Sequence, residues 1–170
     1  MGSPTTISFP VTIEPMLTRT GPELDRATKM FESLLGIGSS PKVSKNQPFR
    51  AQFTYAKRKE EADSIMSKHP GYCPLIIEKR EGCHLADIAR KKYLVPGSSC
   101  MAKVVMEVRS NVPLRSTDAI FLFVYVYNKD GSLKEERVIP PSQPMEFTYH
   151  AYKDWDGFLY VKYSGENAFG

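Results

Sequence analysis

The sequence has no long apolar run and no secretory leader, and each absence excludes a class of protein. No stretch approaches the roughly 20 apolar residues that a membrane-spanning helix needs. Residues 1–15 have neither the basic start nor the sustained apolar segment of a signal peptide. Any association with a membrane is therefore expected to come from a covalent anchor or a surface contact.

Cysteines are few: Cys73, Cys83 and Cys100 are an odd number and lack the spacing of a metal site. This pattern predicts reduced thiols in a cytosolic protein, and no metal and no cofactor are expected. Cys83 and His84 are the only adjacent nucleophile and base, and neighbours in sequence generally point apart. Because no third catalytic group can be identified, we expect that the chain is not an enzyme.

Strong charge of one sign is also missing. The formal net charge of +4 is small and by itself gives no argument for nucleic-acid binding. Lys57, Arg58 and Lys59 form a basic cluster, which is more often the solvated face of a helix than a nucleic-acid site. No nucleic-acid partner is therefore expected.

With 170 residues, the chain is long enough for one globular domain with an additional segment, and the 41% of hydrophobic residues is enough to form a core. Residues 1–46 are rich in Ser, Thr, Pro and Gly and have few aromatic residues. Within them, Pro22–Leu35 has the periodicity of an amphipathic helix, and Gly38–Pro41 is typical of a linker. We therefore divide the chain into an amino-terminal extension, 1–46, and a folded domain with preceding helices, 47–170.

Hydrophobic periodicity and turn residues predict the helices and strands of the folded domain. In chain order they are helix Ala56–Lys68, strand Cys73–Lys79, strand Tyr93–Val95, a helix capped by Ser98 or Ser99, strand Ala119–Tyr127, a short helix containing Met145, Tyr149 and Tyr152, and strand Phe158–Tyr163. The charged segment Lys134–Arg137 is predicted to be a protruding insertion.

The connections then predict how the strands pair. The first two strands are joined by a segment too short for a crossover helix, so they are expected to pair antiparallel. The two long strands, Ala119–Tyr127 and Phe158–Tyr163, each follow a helix and are expected to lie parallel in the middle of the sheet. This order predicts an α+β fold of the ubiquitin-like β-grasp type, a four-stranded mixed sheet packed on a helix, with additional amino-terminal helices.

Particular segments carry a resemblance to a known family. They are Lys57-Arg58, Lys68-His-Pro70, Pro74-Leu-Ile-Ile-Glu-Lys79, Lys91-Lys-Tyr-Leu-Val-Pro96, Asp118-Ala-Ile-Phe-Leu-Phe-Val124, Ile139-Pro-Pro141, Asp156-Gly-Phe-Leu-Tyr160 and Tyr163-Ser-Gly-Glu-Asn-Ala-Phe-Gly170. From about Tyr55 to Gly170, the chain resembles the autophagy-related-eight family of ubiquitin-like modifiers, which includes the microtubule-associated-protein light chain and the GABA-receptor-associated protein.

The resemblance implies that the carboxylate of Gly170 is joined to phosphatidylethanolamine on autophagosomal membranes. The implied partners are ubiquitin-like activating and conjugating enzymes and a processing and delipidating cysteine protease. The implied location is the cytoplasm, and the autophagosome membrane and cytoplasmic vesicles when the chain is lipidated. Since nothing follows Gly170 in this sequence, it is expected to be either the exposed form or a truncated one.

The resemblance also implies a groove for cargo-receptor peptides of the form aromatic-x-x-aliphatic, which would add as a strand to a sheet edge at Lys91–Val95. The implied aromatic pocket consists of Glu61, Ile65, Pro74, Lys92, Leu94 and Phe158. The implied aliphatic pocket consists of Tyr93, Val95, Pro96, Val104 and Val108. Arg90 and Lys92 would meet acidic residues beside the peptide. Several of these apolar residues are equally expected in the core, and the two roles are not exclusive.

Four positions depart from the family pattern. Tyr72 and Asn111 replace basic residues, Glu107 replaces an apolar residue at the rim of the aliphatic pocket, and Gly157 replaces a bulkier residue. Tyr72, Glu107 and Asn111 together predict altered or weaker peptide selectivity, and would disfavour acidic peptides at that end.

Two alternatives stay open from the sequence. The chain could be an adaptor that is never lipidated, or a modifier joined to a protein lysine, although relatives of the second kind tend to end on Trp-Gly and this chain has Phe169. A further hypothesis concerns the extension. Its helix Pro22–Leu35, which contains the docking-peptide pattern Phe31-Glu-Ser-Leu34, would fold over the groove and compete with partners.

Overall fold

The computed structural model of the protein describes residues 14–15, 47–116 and 118–165. The described helices are α1 (Phe49–Gln52), α2 (Tyr55–Lys68), α3 (Ala102–Asn111) and α4 (Met145–Tyr152). The described strands are β1 (Glu14–Pro15), β2 (Tyr72–Lys79), β3 (Lys92–Pro96), β4 (Ile120–Tyr127), β5 (Leu133–Ile139) and β6 (Leu159–Gly165). The predicted helix Pro22–Leu35 lies outside the described residues, so that helix and the division of the chain at residue 46 stay predictions.

The six described strands form one sheet in the order β1-β3-β2-β6-β4-β5. Strands β2 and β6 pair parallel at its centre, and all other neighbours pair antiparallel. This is the predicted ubiquitin-like α+β fold, which is confirmed. The sheet is wider than the four predicted strands because β1 and β5 add one strand at each edge.

The predicted direction of the two long strands is wrong. Strands β4 and β6 are neighbours but run antiparallel, with Leu122 opposite Tyr163. Because β5 reverses the chain after β4 and α4 then carries it over the sheet, β6 runs in the direction of β5 and against β4. The antiparallel pairing of the first two predicted strands is confirmed, since Leu75 of β2 lies opposite Tyr93 of β3.

Helices cover both faces of the sheet. Val104 of α3 and Tyr149 of α4 belong to the larger core on one face. Phe49 of α1 and Ala62 of α2 belong to a smaller core on the other face. Both faces of the central strands are therefore buried, and this explains the continuous apolar runs Leu75-Ile76-Ile77 in β2 and Leu159-Tyr160-Val161 in β6.

The segment Lys134–Arg137 does not protrude, contrary to the prediction, because it belongs to β5. Glu136 of this strand lies opposite Tyr125 of β4 and forms an ion pair with Arg80 at 2.7 Å. Most side chains of β5 are exposed. The strand is held by pairing with β4 and by surface contacts, so its sequence carries no alternation of apolar and polar residues that would have predicted it.

The predicted serine cap of α3 is also wrong. The helix begins at Ala102 after Met101, and its first turn has no side-chain cap among the described residues. The hydroxyl of Ser99 instead donates a 2.7 Å hydrogen bond to the carbonyl of Pro96. Ser99 therefore stabilises the turn that follows β3.

Candidate peptide-binding edge and carboxyl-terminal strand

The last strand, β6, lies in the middle of the sheet and is buried along nearly its whole length. It pairs with β2 on one side and with β4 on the other, where Gly165 lies opposite Ile120. A Cβ atom at Gly165 would come within 3.0 Å of a ring carbon of His84. The chain is thus held firmly up to residue 165, and Gly170 lies outside the described residues.

A buried ion pair joins α2 to the turn before β6. Nε of Arg58 donates to Oδ2 of Asp156 at 2.7 Å, and the hydroxyl of Tyr160 donates to the same oxygen at 2.6 Å. The other carboxylate oxygen accepts the N–H of Phe158 at 3.0 Å. Burial, and then the carboxylate of Asp156, raise the pKa of the Tyr160 hydroxyl, which therefore stays protonated and keeps donating. The carboxylate is satisfied on both oxygens, and α2 is fixed against the start of β6.

A second ion pair joins Arg50 of α1 to Asp154 in the same turn. The guanidinium of Arg50 also lies 3.8 Å from the centre of the Tyr127 ring. Burial and the neighbouring Asp156 raise the pKa of the Asp154 carboxyl, and Arg50 acts against that shift.

Sequence reasoning missed both ion pairs. It interpreted Arg58 as part of a solvated basic face, which is wrong, because Arg58 is only 5% exposed. The one available signal was the pair of acidic residues, Asp154 and Asp156, directly before a strand that must be buried. Carboxylates at such a position need cationic or hydrogen-bonding partners.

The residues predicted for the aromatic pocket lie on α2 or on the sheet face that α2 covers. They are Glu61, Ile65, Pro74, Lys92, Leu94 and Phe158. Lys92 forms an ion pair with Glu61, and its Nζ lies 5.4 Å from the centre of the Phe49 ring. Phe158 is 0% exposed, and its ring packs edge-to-face with Phe49 at 5.6 Å. The structure thus brings the set together, with Phe158 as its floor and Lys92 and Glu61 near the surface.

Four of the five residues predicted for the aliphatic pocket lie on the opposite face, in the core between α3 and the sheet. They are Tyr93, Val95, Val104 and Val108, and none of them is more than 1% exposed. The fifth, Pro96, is half-buried at the end of β3. Because these side chains are buried, they can form only the base of a pocket, and a peptide side chain at this end would contact them from the solvent side.

The rim of the predicted aliphatic pocket, called here the aliphatic set, is polar. Glu107 of α3 is half-buried, and its Oε1 accepts a 2.8 Å hydrogen bond from Nδ2 of Asn111. Burial and then Glu107 raise the pKa of the Tyr93 hydroxyl, while Arg90 acts to lower it. Arg90 itself is exposed just before β3. A carboxylate and a guanidinium therefore lie within electrostatic reach of the same tyrosine.

Strand β3 separates the two sets because successive side chains of a strand point to opposite faces. Its inner side pairs with β2, and its outer side pairs with β1, where Leu94 lies opposite Glu14 and Tyr93 opposite Pro15. An extended peptide along this outer side would direct alternate side chains to the two faces.

Two departures from the family pattern have a visible structural setting. Tyr72, at the start of β2, is 36% exposed, and its ring centre lies 6.2 Å from that of His69. Gly157 has a φ of +93°, and a Cβ atom there would lie 2.9 Å from Cβ of Ala62. Glycine at 157 thus permits the close approach of α2 to the turn before β6.

Within the described ranges, no helix is long and apolar enough to cross a membrane. The same part of the chain has no group of three His, Cys, Asp or Glu residues arranged to hold a metal ion. Sγ of Cys83 accepts a 3.5 Å hydrogen bond from the N–H of Leu85, and the neighbouring His84 is exposed.

Comparisons with known proteins relate this geometry to a family. A family model described as "Autophagy protein Atg8 ubiquitin like" matches residues 57–170. The chain is 38% identical over 129 residues to autophagy-related protein 8e of Arabidopsis thaliana, a match that covers 75% of this chain and 97% of that protein. It is 39% identical over 123 residues to autophagy-related protein 8 of Emericella nidulans, with 72% and 95% covered. The crystal structure of Trypanosoma brucei ATG8 matches with a TM-score of 0.61 and 34% identity, covering 74% of this chain and 99% of that chain.

Proposed function

This chain belongs to the Atg8 family of ubiquitin-like autophagy proteins, and from that membership we propose that it is a modifier joined through Gly170 to phosphatidylethanolamine. The lipid holds it on autophagosome and other cytoplasmic vesicle membranes, and the unconjugated form stays in the cytoplasm. At the membrane, the outer side of β3 recruits cargo receptors and autophagy factors through aromatic-x-x-aliphatic peptides.

In this proposal the chain supplies a carboxylate, and partner enzymes supply the chemistry, so the chain acts as a modifier and not as an enzyme. An activating enzyme uses ATP to convert the carboxylate of Gly170 into a thioester with a cysteine, and a conjugating enzyme receives it. The amine nitrogen of the lipid attacks the thioester carbon, so that a C–N bond forms, the C–S bond breaks and a proton passes to the departing thiolate. Glycine suits this role because it has no Cβ to obstruct a narrow channel.

The observation that carries the proposal is the position of β6, a buried central strand that leads toward the proposed attachment site. Residues 166–170 follow Gly165, the last residue of the strand. An extended chain spans at most about 3.3–3.6 Å per residue, so Gly170 lies no more than about 18 Å from the folded body. A lipid on Gly170 therefore holds the whole domain, and its peptide-binding edge, close to the membrane.

The peptide-binding part is supported by the arrangement around β3. Two sets of mainly apolar side chains lie on opposite faces of one sheet edge, and alternate side chains of an added strand can reach both. Arg90 is exposed just before β3 and gives this edge positive charge, which suits peptides with acidic flanks, and Lys92 would meet such a flank beside its partner Glu61.

The test is reconstitution of the full chain with activating and conjugating enzymes of this family, ATP and liposomes that contain phosphatidylethanolamine. The wild type is compared with Gly170→Ala, and Gly38→Ala makes the same change in the extension as a matched control. We expect the wild type and Gly38→Ala to gain the mass of the lipid less one water, and Gly170→Ala to remain unmodified.

A lipid adduct on Gly170→Ala, or on none of the three chains, would contradict the proposal. The two alternative functions, a modifier joined to a protein lysine and an adaptor that is never lipidated, give different results in the same assay when cell extract is added. An adduct on a protein lysine would identify a protein modifier, and peptide binding without any adduct would identify an adaptor.

A further inference from the structure

The outermost strand at the proposed peptide-binding edge comes from this chain itself. Strand β1 pairs antiparallel with β3, so that Glu14 lies opposite Leu94 and Pro15 opposite Tyr93. We propose that β1 is an internal ligand of this edge, which must leave before a partner peptide can add. The inference rests on the proposed peptide-binding function and goes beyond it by naming the competitor.

Strand β1 and a partner peptide compete because only the outer side of β3 is available for pairing with a further strand. On its inner side, Leu94 and Tyr93 already lie opposite Pro74 and Leu75 of β2. The main-chain groups on the outer side can bond one further strand, and in this structure that strand is β1. Leu94 is only 4% exposed, as expected of a residue whose strand has a neighbour on each side.

The pairing of β1 with β3 is short and therefore weak enough for a peptide to displace it. It involves two residues, and Pro15 has no N–H, so that Glu14 supplies the only main-chain donor of β1. In sequence, Ile13-Glu14-Pro15-Met16 has apolar residues with the spacing of an aromatic-x-x-aliphatic peptide but no aromatic residue. A peptide with an aromatic anchor and more main-chain hydrogen bonds is therefore expected to bind the outer side of β3 more tightly than β1 does.

A weak internal strand still matters because it is tethered. Residues 16–46 link β1 to the folded domain, and linked sites meet at an effective concentration on the order of millimolar. A segment whose intrinsic affinity is also in that range occupies the edge much of the time. If it does so for about 70–90% of molecules, the apparent affinity for a partner peptide falls roughly 3- to 10-fold.

This assignment differs from the sequence-based hypothesis that the helix Pro22–Leu35 covers the groove. The helix lies outside the described residues, whereas β1 has a defined register on β3. The competitor is thus an extended segment that occupies the main-chain edge, and the expected partner is a peptide that adds as a strand.

The test uses the full chain and a fluorescent peptide with a Trp-x-x-Leu core preceded by acidic residues. Glu14→Pro removes the one main-chain donor of β1, and Thr6→Pro places a proline elsewhere in the extension as the matched control. We expect Glu14→Pro to bind the peptide roughly 3- to 10-fold more tightly than the wild type, and Thr6→Pro to bind like the wild type. Without peptide, the β3 amides that face β1 should exchange their hydrogens faster in Glu14→Pro, while the urea midpoint of the domain stays unchanged.

The possible outcomes distinguish a failure of β1 as the internal ligand from a failure of the proposed peptide-binding function. Equal affinity in all three chains, with equal amide exchange, would overturn the internal ligand and leave the peptide-binding function intact. A gain in Thr6→Pro as large as that in Glu14→Pro would also overturn β1 as the competitor. Absence of binding by all three chains would overturn the peptide-binding function and the competition with it.

Discussion

Arg58 and Asp156 form an ion pair at 2.7 Å in which both side chains are almost completely buried. Arg58 lies on α2, which also carries Glu61 of the proposed peptide-binding edge. Asp156 lies in the turn before β6, the strand that leads toward Gly170. One pair of charges therefore fixes the helix beside the peptide edge to the strand that leads to the proposed lipid. We therefore expect the geometry of both proposed regions to depend on this ion pair.

Removal of the cationic partner should destabilise the fold strongly. Arg58→Met leaves the Asp156 carboxylate buried without its counter-charge, and breaking a buried pair in this way costs about 3–5 kcal/mol. Lys59→Met is the matched control, because Lys59 pairs with Asp63 at 3.1 Å on the exposed side of the same helix. Exposed pairs contribute less than about 1 kcal/mol. Urea denaturation measures both free energies of unfolding.

The double variant Arg58→Met with Asp156→Leu should recover part of the lost stability, since no lone buried charge remains. A loss below about 1 kcal/mol in Arg58→Met would show that the pair is not structurally important.

Gly157→Ala should destabilise the domain through two effects. Its φ of +93° strains any L-residue, and the added Cβ would lie 2.9 Å from Cβ of Ala62 on α2. Backbone strain of about 1–2 kcal/mol and overpacking of about 1–3 kcal/mol together predict a loss of roughly 2–5 kcal/mol.

Gly131→Ala separates these effects. Its φ is +87°, but the nearest atom to an added Cβ is Nη2 of Arg50 at 3.8 Å, so only the backbone strain applies. We expect a smaller shift in the thermal midpoint for Gly131→Ala than for Gly157→Ala. Equal shifts would mean that the contact with α2 has no energetic consequence.

The parts of the fold that depend on local patterns were predictable from the sequence. The helix expected at Ala56–Lys68 is observed at Tyr55–Lys68, and the strand expected at Cys73–Lys79 is observed at Tyr72–Lys79. The helix has the periodicity of one inward face, and the strand is a short apolar run buried on both faces. Strand β5 has neither pattern, because its mostly exposed and charged residues are held by main-chain pairing with β4.

The features that join distant parts of the chain were not predictable in this way. Arg58 and Asp156 are far apart in sequence, and a basic cluster on a helix has the same local pattern whether it is solvated or buried. Strand β1 has two residues, one of them proline, and gives no periodic signal. The residues of the candidate site came from resemblance to a family, and their pocket roles stay predictions.

Two cysteines should differ sharply in reactivity. Cys73 is 4% exposed, and burial raises the pKa of its thiol to about 11. Burial acts to raise the pKa of Cys83 as well, but hydrogen bonds from Ser164 and from the backbone of Leu85 and Gly165 outweigh it, so that the pKa is lowered. Since the thiolate is the nucleophile, about 0.1% of Cys73 would be reactive at pH 8 even if reagent could reach it.

Iodoacetamide at pH 8 should therefore modify Cys83 well before Cys73, with peptide mapping by mass spectrometry used to assign each site. Cys83→Ser removes the fast site and should leave Cys73 protected. Cys73 should react only after unfolding in urea. Comparable rates at the two cysteines in the native protein would contradict the predicted difference.

Glu107 should set the preference of the peptide-binding edge for charge beside the aliphatic anchor. Its carboxylate lies on the rim of the aliphatic set and accepts a 2.8 Å hydrogen bond from Asn111, where the family usually has an apolar and a basic residue. Two peptides with the same aromatic-x-x-aliphatic core, one followed by Glu and one by Gln, report on it directly. Repulsion at a partly exposed site is worth about 0.4–1 kcal/mol, so the wild type should bind the Gln peptide roughly 2- to 5-fold more tightly.

Glu107→Gln keeps the size of the side chain and an oxygen that can accept from Asn111, but it removes the charge. The preference between the two peptides should then disappear, and it should shrink in the wild type at high salt, where exposed charges are screened. Glu81→Gln makes the same change in an exposed turn and should retain the wild-type preference. If Glu107→Gln and Glu81→Gln both kept the full preference, the rim of α3 would not lie beside the bound peptide, and the proposed position of the aliphatic anchor would have to be abandoned.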